Sequence, residues 1–276
     1  KDALDIDQVF DAISYLKGAL VIQMISSYLG RDVFFKGVAL YLKRNHYANA
    51  TTKELWAAIE EVSEKPISEM MHYWITKVGF PVVNVSINSE SGKLKVTQDR
   101  FLNSGDVKPE DNETTWWIPL NMSTGFGEND SEAIILKEKS QEFDISGKDF
   151  FKLNKDTTGF YRVFYSPEVL SKYILPNFDQ LSALDKTGLL SDMKTFAQAG
   201  IIEPSMVLDL IKLLCDSDGL TDDYTVWQAA GSAFCSIYST FVDMHDELND
   251  FAKYIYGKKA VELISSKPTE FVVNNL

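Results

Sequence analysis

Apolar residues recur at helical spacing from the start of the chain to about residue 78, at every second position from there to about residue 166, and at helical spacing again to the end. Two switches of period exclude both an all-helical bundle and an all-β barrel. They predict a multidomain α+β chain: a helical segment over 1–78, an antiparallel β-sandwich over 79–166 and an all-α segment over 167–276.

In the first segment, "FDAISYLKGALVIQM" (Phe10 to Met24) reads as a helix. Val9, Ile13, Leu16, Leu20 and Met24 form a stripe predicted to bury against a core. The neighbouring face carries Ala12, Tyr15, Gly18, Ala19 and Ile22, a single phenol among mostly small side chains. A glycine inside a helix costs about 1 kcal/mol against alanine, so this face asks for a reason. Gly30 is a natural stop, and Asp32 is the predicted cap of the next helix. "TTKELWAAIEEV" carries a capping box, Thr51 with Glu54, and a face of Leu55, Ile59 and Val62. Pro66 suits the start of "ISEMMHYWITKV", which Gly79 and Pro81 end.

The middle segment offers seven short strands: "PVVNVSI", "KLKVTQDRF", "TTWWIPLNM", "EAIILKEK", "EFDI", "FFKLN" and "GFYRVFYS", separated by Gly, Asn, Ser and Asp clusters. Alternation sends one indole of Trp116–Trp117 to the core and the other to the surface or a domain contact. From "SPEVLSKYIL" onward the spacing predicts antiparallel helix pairs, with no repeat regular enough to assign a solenoid.

Forty acidic against 27 basic residues give a net charge of -13, and no Lys/Arg cluster offsets it, which argues against nucleic acid as a partner. The two cysteines, Cys215 and Cys235, read as buried reduced thiols. No stretch reaches the roughly eighteen apolar residues of a membrane span. The chain opens at Lys1 without an initiator methionine, and we read it as a fragment of a longer protein. Sequons at Asn49, Asn84, Asn112, Asn121 and Asn129 keep the secretory pathway or cell surface open beside the cytoplasm, the preferred compartment.

No nucleophile elbow, phosphate loop, dinucleotide fingerprint or paired-cysteine zinc motif is present. His46, His72 and His245 are far apart and read as surface or structural residues. Glu60–Glu61 and Asp222–Asp223 read as solvated helix faces or caps rather than an acid/base pair. By spacing alone the chain holds no complete catalytic constellation.

Several ordered segments nevertheless resemble the large gluzincin zinc aminopeptidases, the family of the puromycin-sensitive, aminopeptidase N and endoplasmic-reticulum types. "FDAISYLKGALVIQM" is similar to the segment that follows the family's zinc site. "WITKVGFPVV" resembles its hinge from catalytic domain to sandwich, and "FKLNKDTTGFYRVFY" the sandwich's closing strands. "LDKTGLLSDMKTFAQAG" and "DYTVWQAA" resemble early helices of its C-terminal domain. The likeness leans toward the puromycin-sensitive branch and its fungal members.

The resemblance implies that 1–78 is the helical end of a thermolysin-like catalytic domain, 79–166 its β-sandwich and 167–276 the start of an α-helical domain. It implies an enzyme that removes N-terminal residues from peptides with one zinc ion. Within "SYLKGA" it makes Tyr15 the transition-state stabiliser, a phenol donating to the oxyanion of the scissile carbonyl. A phenol ionises only near pH 10 and so remains a donor at neutral pH. Gly18 and Ala19 would be small to admit close packing or substrate, Lys17 has no assigned role, Phe10 and Ser14 serve packing and helix start, and Arg162 ties strands or domains. The family's His-Glu-x-x-His, downstream Glu and Gly-x-Met-Glu-Asn are missing here. Zinc therefore belongs to the parent protein, the fragment is expected to bind none and be inactive, and peptides are the expected partners. The alternative is a non-catalytic homologue serving as a peptide-binding or interaction module.

Overall fold

The computed structural model describes residues 13–127, 131–132, 134–216 and 223–265. Expectations for Val9, Phe10, Ala12, Asn129 and Asp222, and for the side chains of Ile13 and Ser14, lie outside the described residues. Contacts gather into two units, 1–188 and 189–276.

The first unit opens with a π turn, Ile13–Lys17, that runs into α1 (Gly18–Leu29). The buried residues of α1 are Val21, Met24 and Ile25, while Leu16 and Leu20 are 63% and 39% exposed. This corrects the predicted stripe. A π turn bonds i to i+5 and accommodates one more residue than an α turn, so positions before and after it cannot share one α-helical face. Gly30, at φ 80°, breaks the chain before α2 (Arg31–Arg44). Asp32 sits in the first turn of α2 and does not cap it; its carboxylate there still complements the helix dipole.

The capping box forms as expected at the head of α3 (Thr52–Ser63), where the Thr51 amide donates to Glu54. Trp56, Ala58 and Ile59 are buried on α3, and Leu55 and Val62 are half-buried. At the α2–α3 contact a Cβ on Gly37 would come within 2.8 Å of Ile59 Cα. Gly37→Ala must therefore push the helices apart, and overpacking of this kind costs about 1–3 kcal/mol. Chemical denaturation should report that loss; a midpoint equal to the parent chain's would show that the contact yields freely. The last of these helices, α4 (Ile67–Thr76), buries Ile67, Met70, Met71 and Trp74, and the Trp74 indole donates to Trp117 O at 3.0 Å.

The strands follow: β1 (Pro81–Ile87), β2 (Leu94–Arg100), β3 (Ile118–Pro119), β4 (Met122–Ser123), β5 (Ser131–Glu132), β6 (Ile135–Leu136), β7 (Ser140–Phe143) and β8 (Arg162–Tyr165). Four of them make a sheet ordered β7-β2-β1-β8, while β3–β6 and β4–β5 are separate short pairs. The antiparallel expectation fails at one place, since β8 lies parallel to β1, Val82 opposite Arg162. The long excursion between them is what lets β8 return in the same direction. Leu94, Val96 and Gln98 alternate inward along β2. The buried Gln98 amide clamps the backbone of Trp116, accepting from its N–H at 2.7 Å and donating to its carbonyl at 2.8 Å. Trp116 is fully buried, whereas Trp117 stacks on Tyr73 beneath the Lys137 ammonium, as alternation required.

After β8, Ser166 caps a short turn, α5 (Pro167–Val169), and Ser182 accepts the Asp185 amide at the head of α6 (Ala183–Gln198). In the second unit, α7 (Pro204–Asp216) buries Val207, Leu210, Ile211 and Leu214, and α8 (Tyr224–Thr240) buries Val226, Ala230, Ala233, Phe234 and Ile237. Asp223 caps α8, accepting the Thr225 amide at 2.8 Å. α9 (His245–Ser265) closes the described chain. Neither cysteine is in a disulfide, and neither is buried as predicted: Cys215 is half-buried, with its thiol toward Ile255 O, and Cys235 is exposed. Small neighbours on α8, Ser232 and Ser236, accept hydrogen bonds from Lys194 and Gln198.

Candidate active-site helix and its surroundings

Tyr15 lies within the π turn at the head of α1 and is 61% exposed. Gly18 below it faces open space: a Cβ added there would have no heavy atom within 4 Å. The expected close approach to Gly18 is therefore not made by this chain's described residues. Lys17 points the other way, its ammonium donating to Lys77 O at 3.4 Å. Burial holds that ammonium below the usual lysine range.

The far end of α1 is tied to the strands. Asn121, in a left-handed conformation at φ 42°, donates to Ser27 Oγ at 3.5 Å, Thr158 Oγ1 at 3.1 Å and Lys155 O at 3.3 Å. The Lys65 ammonium lies 4.0 Å over the Tyr28 ring. A cavity of about 60 Å³ remains between Met24, Tyr28, Pro119 and Gly159, room for little more than water. A larger one of about 270 Å³ lies beside Phe126, Phe150, Lys155 and Asp156, and one of about 310 Å³ opens on α8 in the second unit. None of these three is lined by Tyr15.

The other candidates are not brought together. His46 packs on Tyr47, His72 on Tyr73, and His245 stacks on Tyr238 while its Nε2 lies 3.0 Å from that residue's carbonyl. Glu60 accepts the Ser68 amide, and Glu61 pairs with Arg44 in solvent. The Arg162 guanidinium lies over the Phe101 ring. Among the described residues no group of three His, Cys, Asp or Glu side chains could hold a metal ion.

One polar centre escaped the sequence reading. Lys152 and Asp185, 6% and 8% exposed, pair at 2.7 Å. Lys152 also donates to Leu153 O and Asn154 O, and Asp185 accepts the Asp156 amide at 2.8 Å. Around them Asn154, Asp156 and Thr157 all take positive φ. The signal was present in "NKDTTG", since Asn and Asp are the side chains that most readily enter that region.

Residues 1–74, which include the π turn, α1, α2 and α3, match the model of the peptidase family M1 domain, and residues 150–272 match that of the ERAP1-like C-terminal domain. Over 271 residues the chain is 37% identical to "Aminopeptidase 2" of Candida albicans, covering 98% of this chain and 28% of that protein. It is 34% identical over 262 residues to "Puromycin-sensitive aminopeptidase" of Caenorhabditis elegans, covering 92% of this chain and 27% of that protein. It is 38% identical over 232 residues to "Tricorn protease-interacting factor F2" of Thermoplasma acidophilum, covering 84% and 28%. The chain belongs to the M1 peptidase family. It spans just over a quarter of the length of these relatives. M1 peptidases are zinc metallopeptidases, but the described residues of this M1 chain do not fit a zinc site. No helix among them is long and apolar enough to cross a membrane.

Proposed function

We propose that this chain works as part of a longer zinc-dependent aminopeptidase that removes N-terminal residues from peptides. The supporting observation is a tyrosine presented in the open on a π turn, within the segment that matches the M1 domain. Tyr15 is the hydrogen-bond donor to the oxyanion that develops when the scissile carbonyl is attacked. A donor fixed before the reaction stabilises that charge without reorganising, an effect worth about 3–4 kcal/mol for one group. Residues 1–78 form the helical end of the catalytic domain, 79–166 the β-sandwich and 167–276 the beginning of the helical domain. The zinc ligands and general base lie outside this chain, and no observation favours the non-catalytic alternative.

We assign the protein to the cytoplasm. Asn84, Asn112 and Asn121 already spend their side-chain amides on Asp99, Thr158 and neighbouring groups, so these sequons have a structural use without a glycan.

The test compares metal content and hydrolysis of an aminoacyl reporter for the 276-residue chain and the full-length protein. The expected result is about one zinc and turnover in the full-length protein and neither in the chain alone. Zinc with turnover in the 276-residue chain would overturn the placement of the metal ligands. A zinc-free, inactive full-length protein would overturn the enzymatic reading itself.

A further inference from the structure

The described residues leave the outer side of the π turn that carries Tyr15 largely exposed. Tyr15 and Leu16 are mostly exposed, and none of the described residues lies against Gly18. Lys17, the last residue of the turn, flanks α1 with helical dihedrals and makes no side-chain cap to it. Its side chain instead crosses to a distant part of the chain, the carbonyl of Lys77.

That carbonyl is a suitable acceptor. Lys77 is the C-terminal flanking residue of α4, extended at φ -92° and ψ 140°, where the helix gives way to the approach to β1. Carbonyls at a helix end lack partners within the helix, and the dipole there favours a cation. α4 is itself firmly seated, with Met70, Met71 and Trp74 buried and the Trp74 indole bonded to Trp117 O. The contact thus joins an exposed, irregular turn to a rigid element.

We propose that Lys17 is a positioning residue for Tyr15: by hydrogen bonding to Lys77 O at the end of α4, its ammonium fixes the π turn and so the place where the phenol is presented. The Lys17 side chain is half-buried as a whole, and its bond to Lys77 O, at 3.4 Å, lies at the surface. The proposal rests on the reading of Tyr15 given above. A donor needs its geometry held closely, because a small misplacement costs rate and leaves binding alone.

Two variants test it, Lys17→Met, which keeps the stem and removes the donor, and Lys17→Arg, which restores a cation that can reach the same carbonyl. In the 276-residue chain, hydrogen exchange of the amides of residues 13–20 is expected to quicken in Lys17→Met and return toward the parent rate in Lys17→Arg. In the full-length enzyme, Lys17→Met is expected to lower kcat roughly ten- to hundredfold at nearly constant KM, with Lys17→Arg recovering most of it. Unchanged exchange in Lys17→Met overturns the proposal, as does an arginine variant that fails to restore it. A rise in KM at constant kcat also overturns it, since Lys17 would then bind substrate. Faster exchange with unaltered turnover also overturns it, leaving the reading of Tyr15 intact if Tyr15→Phe still lowers kcat and overturning that reading too if Tyr15→Phe is silent. The two readings therefore fail separately.

Discussion

Asp185→Asn is expected to lower the unfolding free energy of the chain by about 3–5 kcal/mol, the usual cost of leaving a buried charge without its partner. Asparagine keeps the shape and can still accept the Asp156 amide, but Lys152, only 6% exposed, would lose its charged partner. Its other acceptors, the carbonyls of Leu153 and Asn154, carry no compensating charge. The loss spreads because Asp185 also lies in the first turn of α6, capped by Ser182, which in turn donates to Asp156 Oδ1 at 2.7 Å. Two residues in the left-handed region, Asp156 and Thr157, bond to α6 through Asp185 and Leu184 O. Urea denaturation followed by tryptophan fluorescence measures the effect. A double variant, Lys152→Met with Asp185→Leu, should recover much of the loss, because an apolar pair of similar volume often replaces a buried ion pair at little cost. A single-variant change below about 0.5 kcal/mol would mean that water reaches the lysine and the pair is not a buried one in solution.

What could be read from the sequence was what is decided locally. The Thr51–Glu54 capping box and the stop at Gly30 depend on residues within one turn, and both stand where the sequence indicated, while Asp223, read as a helix face or a cap, is a cap. The division of Trp116 from Trp117 follows from alternation and is likewise local. The errors share a different cause. A π turn leaves no mark in composition, so a stripe that runs from Leu16 into α1 crosses a break in phase. Alternation tells which face a side chain takes but not which strand is its neighbour, and the parallel pairing of β8 with β1 was therefore invisible. "TTWWIPLNM" splits into two two-residue strands because Asn121 turns left-handed between them to bond Ser27, Lys155 and Thr158, partners far away in sequence. Lys186 belongs to the same class. It is buried and bonded to Asp179 O, and burial holds its ammonium below the usual lysine range despite the nearby Asp179 charge. Nothing in "LDKTGLL" distinguishes it from a surface lysine.

The candidate site was legible in a narrower sense. Tyr15 stands out as a phenol among small residues before any function is attached to it, and it proves to be open to solvent. Close packing by this chain does not explain its small neighbours, since Gly18 meets none of the described residues.

Tyr15→Phe removes one oxygen and leaves the ring and the π turn in place, so the variant isolates the hydroxyl. An interaction made only in the transition state lowers kcat and kcat/KM together and leaves KM nearly unchanged. With the enzyme saturated by an aminoacyl reporter, kcat is expected to fall about a hundred- to thousandfold at a KM close to that of the parent. A folded Tyr15→Phe enzyme turning over within about threefold of the parent would contradict this, because the hydroxyl would then have no part in stabilising the oxyanion.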